Sequence, residues 1–167
     1  MSFELGLRGT HQGPPRRARN PFTGVMGTEN PLVMRDDELH AALAVIARHG
    51  TLDEDGGGIL DLSPAKIEFS SFGAEGDLVK VSGDLARACE FLFELATAGQ
   101  IAVVILSAGD DEPASLVTTA NALARAGALE EELGSASLVE SPSELASILA
   151  PHHAHATKYA ARVTGGR

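Results

Sequence analysis

A chain of 167 residues with 44 % hydrophobic and 22 % charged residues has the size and composition of one globular domain. Its formal net charge is −10, and residues 36–147 hold 21 acidic but only five basic residues. Such an acidic body repels nucleic acid and anionic membranes and attracts basic partners. The longest strongly apolar run, 101–106, is too short to span a bilayer, and the first residues lack the pattern of a signal peptide, so we expect a cytoplasmic protein.

The first residues predict a short strand, because Phe3, Leu5 and Leu7 alternate with polar or small residues. Residues 8–31, which we call the basic arm, are rich in Gly, Pro, Arg and Asn and have no apolar period. This composition indicates an extended or mobile segment.

The basic arm carries four arginines, Arg8, Arg16, Arg17 and Arg19. They could contact phosphates, but with an acidic body behind them such binding would be weak and salt-sensitive, so nucleic acid is a poor candidate partner. Alternatively, the arm lies on the acidic face of a neighbouring subunit, which would make a homo-oligomer by charge complementarity.

Residues 36–49 predict the first helix, with Asp36 as its N-cap and Gly50 as its stop. The apolar residues that recur at helical spacing, and would form its buried face, are Leu39, Leu43, Ile46 and Ala47. Three strand candidates follow at 59–62, 66–69 and 78–81. Because they are short and separated by Gly- or Pro-containing turns, they predict an antiparallel meander.

The second half of the chain alternates helices and strands. Its predicted elements are a helix at 84–98, a strand at 101–106, a helix from Pro113 to Gly127, a strand at 136–139 and a helix that starts at the capping box Ser141–Glu144. Pro113 is expected at the first helical position. The last helix is expected to end by Ala150, because Pro151 follows.

Together these elements predict an α+β or mixed α/β fold, in which helices pack on a small mixed sheet of about four to six strands. The antiparallel meander would lie in the middle of the chain, and strands and helices would alternate in its C-terminal half. We divide the chain into an N-terminal strand with the basic arm (1–31), one globular domain (32–150) and a His-containing basic tail (151–167).

Two acidic residues are weak candidates for a metal site. Asp110 and Asp111 follow the predicted strand 101–106, and carboxylates at the carboxyl end of a strand can bind Mg²⁺. Acidic residues in front of a helix that begins at Pro113 are better explained by helix capping.

Histidines provide a second weak metal candidate. His152 and His155 would share one helix face and could bind Zn²⁺ or Ni²⁺, but no Cys or acidic residue nearby completes a site. A solvated tail explains them better, and we predict no cofactor.

Nucleophilic catalysis has little support in the sequence. Cys89 falls on the apolar face of the predicted helix 84–98, where a thiol is inert. Ser107 follows a strand but lacks the Gly-x-Ser-x-Gly pattern of a nucleophile elbow. We therefore predict no catalytic residue.

The acidic residues are grouped in four triplets. Those at 36–38 and 110–112 stand where helices are predicted to begin, and capping explains them. The other two stand in predicted turns, where no helix start explains them, and we predict that they bind the partner. They are Asp53, Glu54 and Asp55, and Glu130, Glu131 and Glu132.

The leading hypothesis is a non-enzymatic protein-binding module of a bacterial-type cytosolic protein, whose acidic surface docks a basic partner. An immunity- or inhibitor-type protein that masks a basic toxin or nuclease is one version of it. One alternative is a small ligand- or metal-binding enzyme domain that uses the strand end at 107–112. A second alternative is a structural or self-assembling subunit.

Overall fold

The structure, a computed structural model, describes residues 3–165, with side chains described for residues 3–158. The strands of this part are β1 (Phe3–Arg8), β2 (His11–Gln12), β3 (Arg16–Arg19), β4 (Met26–Glu29), β5 (Leu32–Val33), β6 (Gly58–Asp61), β7 (Ala65–Phe69), β8 (Gly76–Gly83), β9 (Ala102–Val104), β10 (Ser115–Val117) and β11 (Ala136–Leu138). The helices are α1 (Asp36–Ala47), α2 (Leu85–Gly99), α3 (Ala120–Ala128), α4 (Glu130–Leu133) and α5 (Pro142–Gly165).

Seven of these strands form one mixed sheet in the order β11-β10-β9-β1-β8-β7-β6. All neighbours are antiparallel except β10 and β11, which are parallel and joined through α3 and α4. The predicted fold class, a mixed sheet with helices packed on it, is confirmed, and so is the antiparallel meander β6-β7-β8. The sheet has seven strands in the described part of the chain, against about four to six predicted, and β10 is the strand for which the sequence offered no candidate.

The helix predicted to start at Pro113 is wrong in its first part. Residues 115–117 form β10 between β9 and β11, and α3 begins only after Thr119, whose hydroxyl accepts the Ala122 N–H at 3.1 Å. Leu116 packs into the large core and Val117 into a small cluster on the opposite side. Strand pairing and burial on both faces therefore override the local helix signal of the proline.

The sheet is covered unequally on its two faces. Helices α1, α2 and α5 pack together on one side, and their apolar residues share a single large core with β1, β7 and β8. On the other side α3 and α4 form a second, smaller cluster with β9, β10 and β5. Among the described residues, α3 and α4 therefore cover only one end of this second face of the sheet.

The buried face of α1 differs from the predicted one. Its buried residues are Glu38, Ala42, Val45 and Ile46, whereas Leu43 is 42 % exposed and Ala47 is also exposed. The helix is rotated because the carboxylate of Glu38 binds His11 and Arg125 inside the fold. The ion-paired carboxylate of Glu38 is therefore buried, and Leu43, which the pattern placed inside, lies at the surface.

The predicted end of the last helix at Ala150 is also wrong, since α5 continues through Pro151 to Gly165. A proline inside a helix lacks the N–H of one backbone hydrogen bond. Packing continues on both sides of it, because Leu149 is fully buried and the ring of His153 makes an edge contact with Phe3 at 5.9 Å. The predicted boundary after residue 150 therefore falls inside a helix, and the division of the chain into three parts stays a prediction.

Candidate functional site

One face of the sheet is left partly uncovered. Along β1, Phe3, Leu5 and Leu7 are buried in the large core, so the residues between them point to the opposite side. We call the uncovered side of β1, β8, β7 and β6 the open face. It is formed by Glu4, Gly6, Arg8, Ile59, Lys66, Glu68, Leu78 and Lys80.

A shallow apolar groove runs across the open face where a side chain is missing. Gly6 stands in register between Leu78 of β8 and Val104 of β9. A Cβ atom at this glycine would lie 3.2 Å from the Cβ of Val104, so a larger residue would fill the depression. The groove has a volume of about 440 Å³, and Leu106 closes one side. Leu78 is 43 % exposed and Leu106 56 % exposed, so both leave apolar area in contact with water.

The polar rim of the groove carries charges of both signs. Glu75, Asp77 and Arg8 line it, and Glu75 is ion-paired with Arg16 of the basic arm. Asp77 is fixed by accepting the backbone N–H groups of Ser70 at 2.7 Å and Ser71 at 3.0 Å. An apolar strip beside a fixed carboxylate favours a ligand that combines apolar side chains with positive charge.

Farther along the open face, charges alternate across neighbouring strands. Lys80 of β8 stands opposite Glu68 of β7 on one side and opposite Glu4 of β1 on the other. Opposite charges in directly paired positions stabilise a sheet by roughly 0.2–1 kcal/mol each. These residues therefore have a structural role, and the groove is the part of the face that this pairing does not explain.

The basic arm is a projecting β-hairpin. β2 pairs with β5 near the body, and β3 pairs with β4 farther out. We call residues 11–33 the hairpin. All its residues from Arg19 to Asn30 are exposed, so the described body does not cover its outer half.

The turn at the end of the hairpin is well ordered by local hydrogen bonds. The Oδ1 atom of Asn20 accepts the N–H groups of Phe22 at 2.8 Å and Thr23 at 3.2 Å. Gly24 adopts a φ of +71°, which glycine allows without strain. This turn holds Phe22 out into solvent, 95 % exposed.

The base of the hairpin is fixed to the body by a partly buried polar network. Glu38, which is 9 % exposed, accepts from His11 at 2.9 Å and from Arg125 at 3.2 Å. Arg125 also donates to the hydroxyl of Thr10 at 3.1 Å, and that hydroxyl donates to the carbonyl of Gln100 at 2.8 Å. The network joins the hairpin to α1 and α3.

A second group of polar side chains meets between the β9–β10 loop and α5. The Oγ atom of Ser107 lies 2.8 Å from Nδ1 of His152, and Nε2 of His152 lies 2.8 Å from a carboxylate oxygen of Glu112. With its proton on Nε2, the imidazole donates to Glu112 and accepts from Ser107. A small pocket of about 230 Å³ beside them is lined by Phe3, Glu4, Leu106, Ser107, His152, His155 and Ala156.

The weak metal candidates are not assembled into a site. Asp110 and Asp111 lie exposed in the loop between two antiparallel strands, and they precede β10 rather than a helix, so the capping explanation for them is wrong. His152 meets Glu112, while His155 is exposed. Within the described residues no three His, Cys, Asp or Glu side chains are arranged to hold a metal ion.

The two acidic turn triplets lie at opposite edges of the sheet. Asp53, Glu54 and Asp55 precede the edge strand β6, whereas Glu130, Glu131 and Glu132 form the first turn of α4 before the other edge strand, β11. The prediction that no helix start explains 130–132 is therefore wrong, because acidic residues suit the first turn of a helix. Six strand spacings separate these edges, which is about 29 Å. Asp53 also has a local role, since its Oδ1 atom accepts the N–H groups of Asp55 and Gly57, each at 2.9 Å. One compact patch does not contain both triplets.

Sequence reasoning missed both the groove and the Ser107 group, because their members are far apart in the chain. Gly6, Leu78 and Val104 become neighbours only through the strand order, in which β1 lies between β8 and β9. A usable signal was the glycine inside the alternating pattern of β1, since an isolated glycine in a strand often marks a close approach.

None of the helices in the described part of the chain is both long and apolar enough to span a membrane. The chain shows no significant similarity to a protein-family model, to a curated protein or to a solved structure.

Proposed function

We propose that the chain is a non-enzymatic protein-binding module that docks a basic partner on the groove of its open face. The observation that carries the proposal is the exposure of Leu78 and Leu106 beside the carboxylate of Asp77. An inhibitor- or immunity-type protein that masks a basic toxin or nuclease is one form of this function. We place it in the cytoplasm, where a single free cysteine, Cys89, stays reduced.

The apolar strip supplies the affinity in this proposal. Fully burying a leucine side chain is worth about 1.5–3 kcal/mol relative to leaving it in water. Leu78 and Leu106 are each about half exposed, so covering both contributes on the order of 2 kcal/mol. The partner therefore presents apolar side chains to the groove.

The negative charge supplies attraction and selectivity. Asp77 lines the groove, and charges at the rim of an interface chiefly raise the association rate and suppress wrong partners. The turn triplets at 53–55 and 130–132 lie outside the groove at the two edges of the sheet. We assign them long-range attraction of the partner, which weakens as salt screens it.

A titration with a synthetic peptide of alternating Arg and Leu tests this proposal. We expect calorimetric binding to the full chain, a tenfold or greater loss of affinity for Leu78→Lys and weaker binding at high salt. Leu43→Lys is the matched control, because Leu43 is 42 % exposed on α1 and Leu78 is 43 % exposed on the open face. No binding, or equal effects of the two substitutions, would rule the proposal out.

A second candidate function rests on the contacts of His152. In acyl transfer, the Ser107 hydroxyl would attack the ester carbonyl carbon and pass its proton to Nδ1, and Glu112 would hold the imidazole through Nε2. The carbon–oxygen bond of the ester then breaks, the leaving alkoxide takes the proton from the imidazole, and the acyl group stays on Ser107. A water molecule that gives its proton to the imidazole would then attack the acyl–Ser107 ester, release the acid and return the proton to the Ser107 oxygen.

Steady-state hydrolysis of short-chain nitrophenyl esters tests the enzyme candidate. It predicts turnover that falls at least 100-fold in Ser107→Ala and is unchanged in Asp110→Ala, since Asp110 is exposed in the same loop. Absence of turnover, or equal activity of the Ser107→Ala chain, would remove this candidate.

A further inference from the structure

We infer that the basic segment received by the open face is the hairpin of a second copy of this chain, so that two chains exchange hairpins in a symmetric dimer. The inference rests on the proposed function, because it names the partner of the same groove. It is drawn from the charge, polarity and direction of the hairpin.

The outer half of the hairpin has no partner in the described chain. Every residue from Arg19 to Asn30 is exposed, and a two-stranded hairpin alone is marginally stable in water. At its end Phe22 is 95 % exposed, and Val25 and Met26 are exposed as well. An apolar tip on a solvated ribbon is expected where the tip enters an interface.

The two faces of the hairpin differ in charge balance. Arg16 is paired with Glu29 across the ribbon and with Glu75 of the body at 2.8 Å. Arg17 and Arg19 point to the other face, because side chains alternate along β3. On that face Arg19 stands opposite the exposed Met26. This second face carries positive charge and apolar area together.

That combination complements the groove. The groove offers Leu78 and Leu106 for apolar contact, with Asp77 on its rim. The hairpin offers two guanidinium groups, which bind carboxylates in a bidentate fashion, and the side chains at its tip. The positive charges of the hairpin therefore face negative charge at the groove, and its apolar tip faces the apolar surface of the groove.

The direction of the hairpin favours a second chain over its own body. The pair of Arg16 with Glu75 turns the Arg16 face toward the body, so the Arg17 face is directed away from it. From Gly13 to the turn at Asn20 the hairpin reaches at most about 23 Å at 3.3 Å per residue, which exceeds the width of about 14 Å of the four strands of the open face. Because Glu75 lines the groove and pairs with Arg16 of the hairpin, a two-fold axis beside it would let each hairpin enter the other groove.

Sedimentation velocity on full-length chains tests the exchange. Wild type is expected to show a concentration-dependent dimer, and both a hairpin variant (Arg17→Glu with Arg19→Glu) and a groove variant (Leu78→Lys) are expected to be monomers. An equimolar mixture of the two variants regains a dimer, because the hairpin of the second meets the groove of the first. Leu43→Lys, the control, dimerises like wild type.

The outcomes separate this inference from the proposed function. A wild type that stays monomeric at every concentration, a mixture that stays monomeric or a hairpin variant that dimerises would each overturn the exchange. If the Arg-Leu peptide still binds in a Leu78-dependent manner in that case, the proposed function stands and only the second copy is excluded.

A separate measurement of duplex DNA binding tests a different role for the hairpin. A monomeric wild type that binds duplex DNA, and loses this binding when Arg17→Glu and Arg19→Glu are introduced, would assign the hairpin to nucleic acid and overturn the inference.

Discussion

Glu38 shows how a single buried carboxylate determines the orientation of a helix and the attachment of the hairpin. It accepts from the side chains of His11 and Arg125 and from the backbone N–H of Arg35 at 2.9 Å. The helical pattern of α1 predicted a buried leucine face, and this carboxylate, at a position that the pattern assigns to the surface, occupies the interior instead.

Replacing Glu38 by Gln removes the charge that faces Arg125 and His11. We expect a loss of about 1–3 kcal/mol in the free energy of unfolding, because a partly buried guanidinium is left without its counter-charge. Urea unfolding measures this loss. Glu54→Gln is the control, since Glu54 is exposed, and it should change stability by less than about 0.5 kcal/mol. Equal effects of the two substitutions would contradict the role of Glu38.

Cys89 provides a prediction about reactivity and pH. Burial, assisted by the negative charge of Asp84, raises the pKa of the Cys89 thiol from 9.0 to about 12. We expect no reaction with a thiol reagent at pH 8 in the folded chain, and a labelling rate that follows unfolding in urea. Fast labelling without denaturant would contradict the packing of α2.

The same pKa shift gives the sign of a stability change at high pH. Between pH 9 and 12 the unfolded chain releases the thiol proton while the folded chain keeps it, so stability falls as pH rises through this window. Cys89→Ala removes this contribution to the slope, which unfolding at several pH values measures. An unchanged slope would mean that the thiol titrates alike in both states.

At the scale of elements, the sequence pattern correctly predicted those helices and strands that depend on interactions between residues close in the chain. The meander β6-β7-β8 and the helix α2 follow their alternating and helical patterns, and Asp84 caps α2 by accepting the N–H of Arg87. β10 and the rotation of α1 could not be predicted in this way. Both depend on partners distant in sequence, namely β9 and β11 for β10 and Arg125 for α1.

Helix α5 is the element in which a local rule and tertiary packing conflict. Pro151 removes one backbone hydrogen bond inside the helix, whereas Pro142 stands at its first position, where the N–H has no partner in any helix. Pro151→Ala is therefore expected to stabilise the protein by up to about 3 kcal/mol, and Pro142→Ala to change it little. Thermal unfolding of the two variants checks this, and a destabilised Pro151→Ala chain would show that the packing requires the proline.

At the scale of the whole molecule, the negative charge of the two turn triplets is not gathered in one patch. The turn triplets lie at opposite edges of the sheet, and the acidic groups beside the groove, Glu75 and Asp77, are separate residues of the β7–β8 region. The acidic character was readable from composition, whereas the groove was not, because it depends on strand order. In the proposed function, the turn triplets therefore attract the basic partner from a distance, and the groove binds it.

Methyl NMR spectra during a titration with the Arg-Leu peptide test the central claim most directly. The Arg17→Glu and Arg19→Glu chain is the best sample, because its groove is free of any second hairpin. We predict that the methyl signals of Leu78 and Leu106 shift or broaden as the peptide is added, while those of Leu43, equally exposed on α1, stay in place. Unchanged Leu78 and Leu106 signals at saturating peptide, or changes centred on Leu43, would contradict a protein-binding groove on the open face.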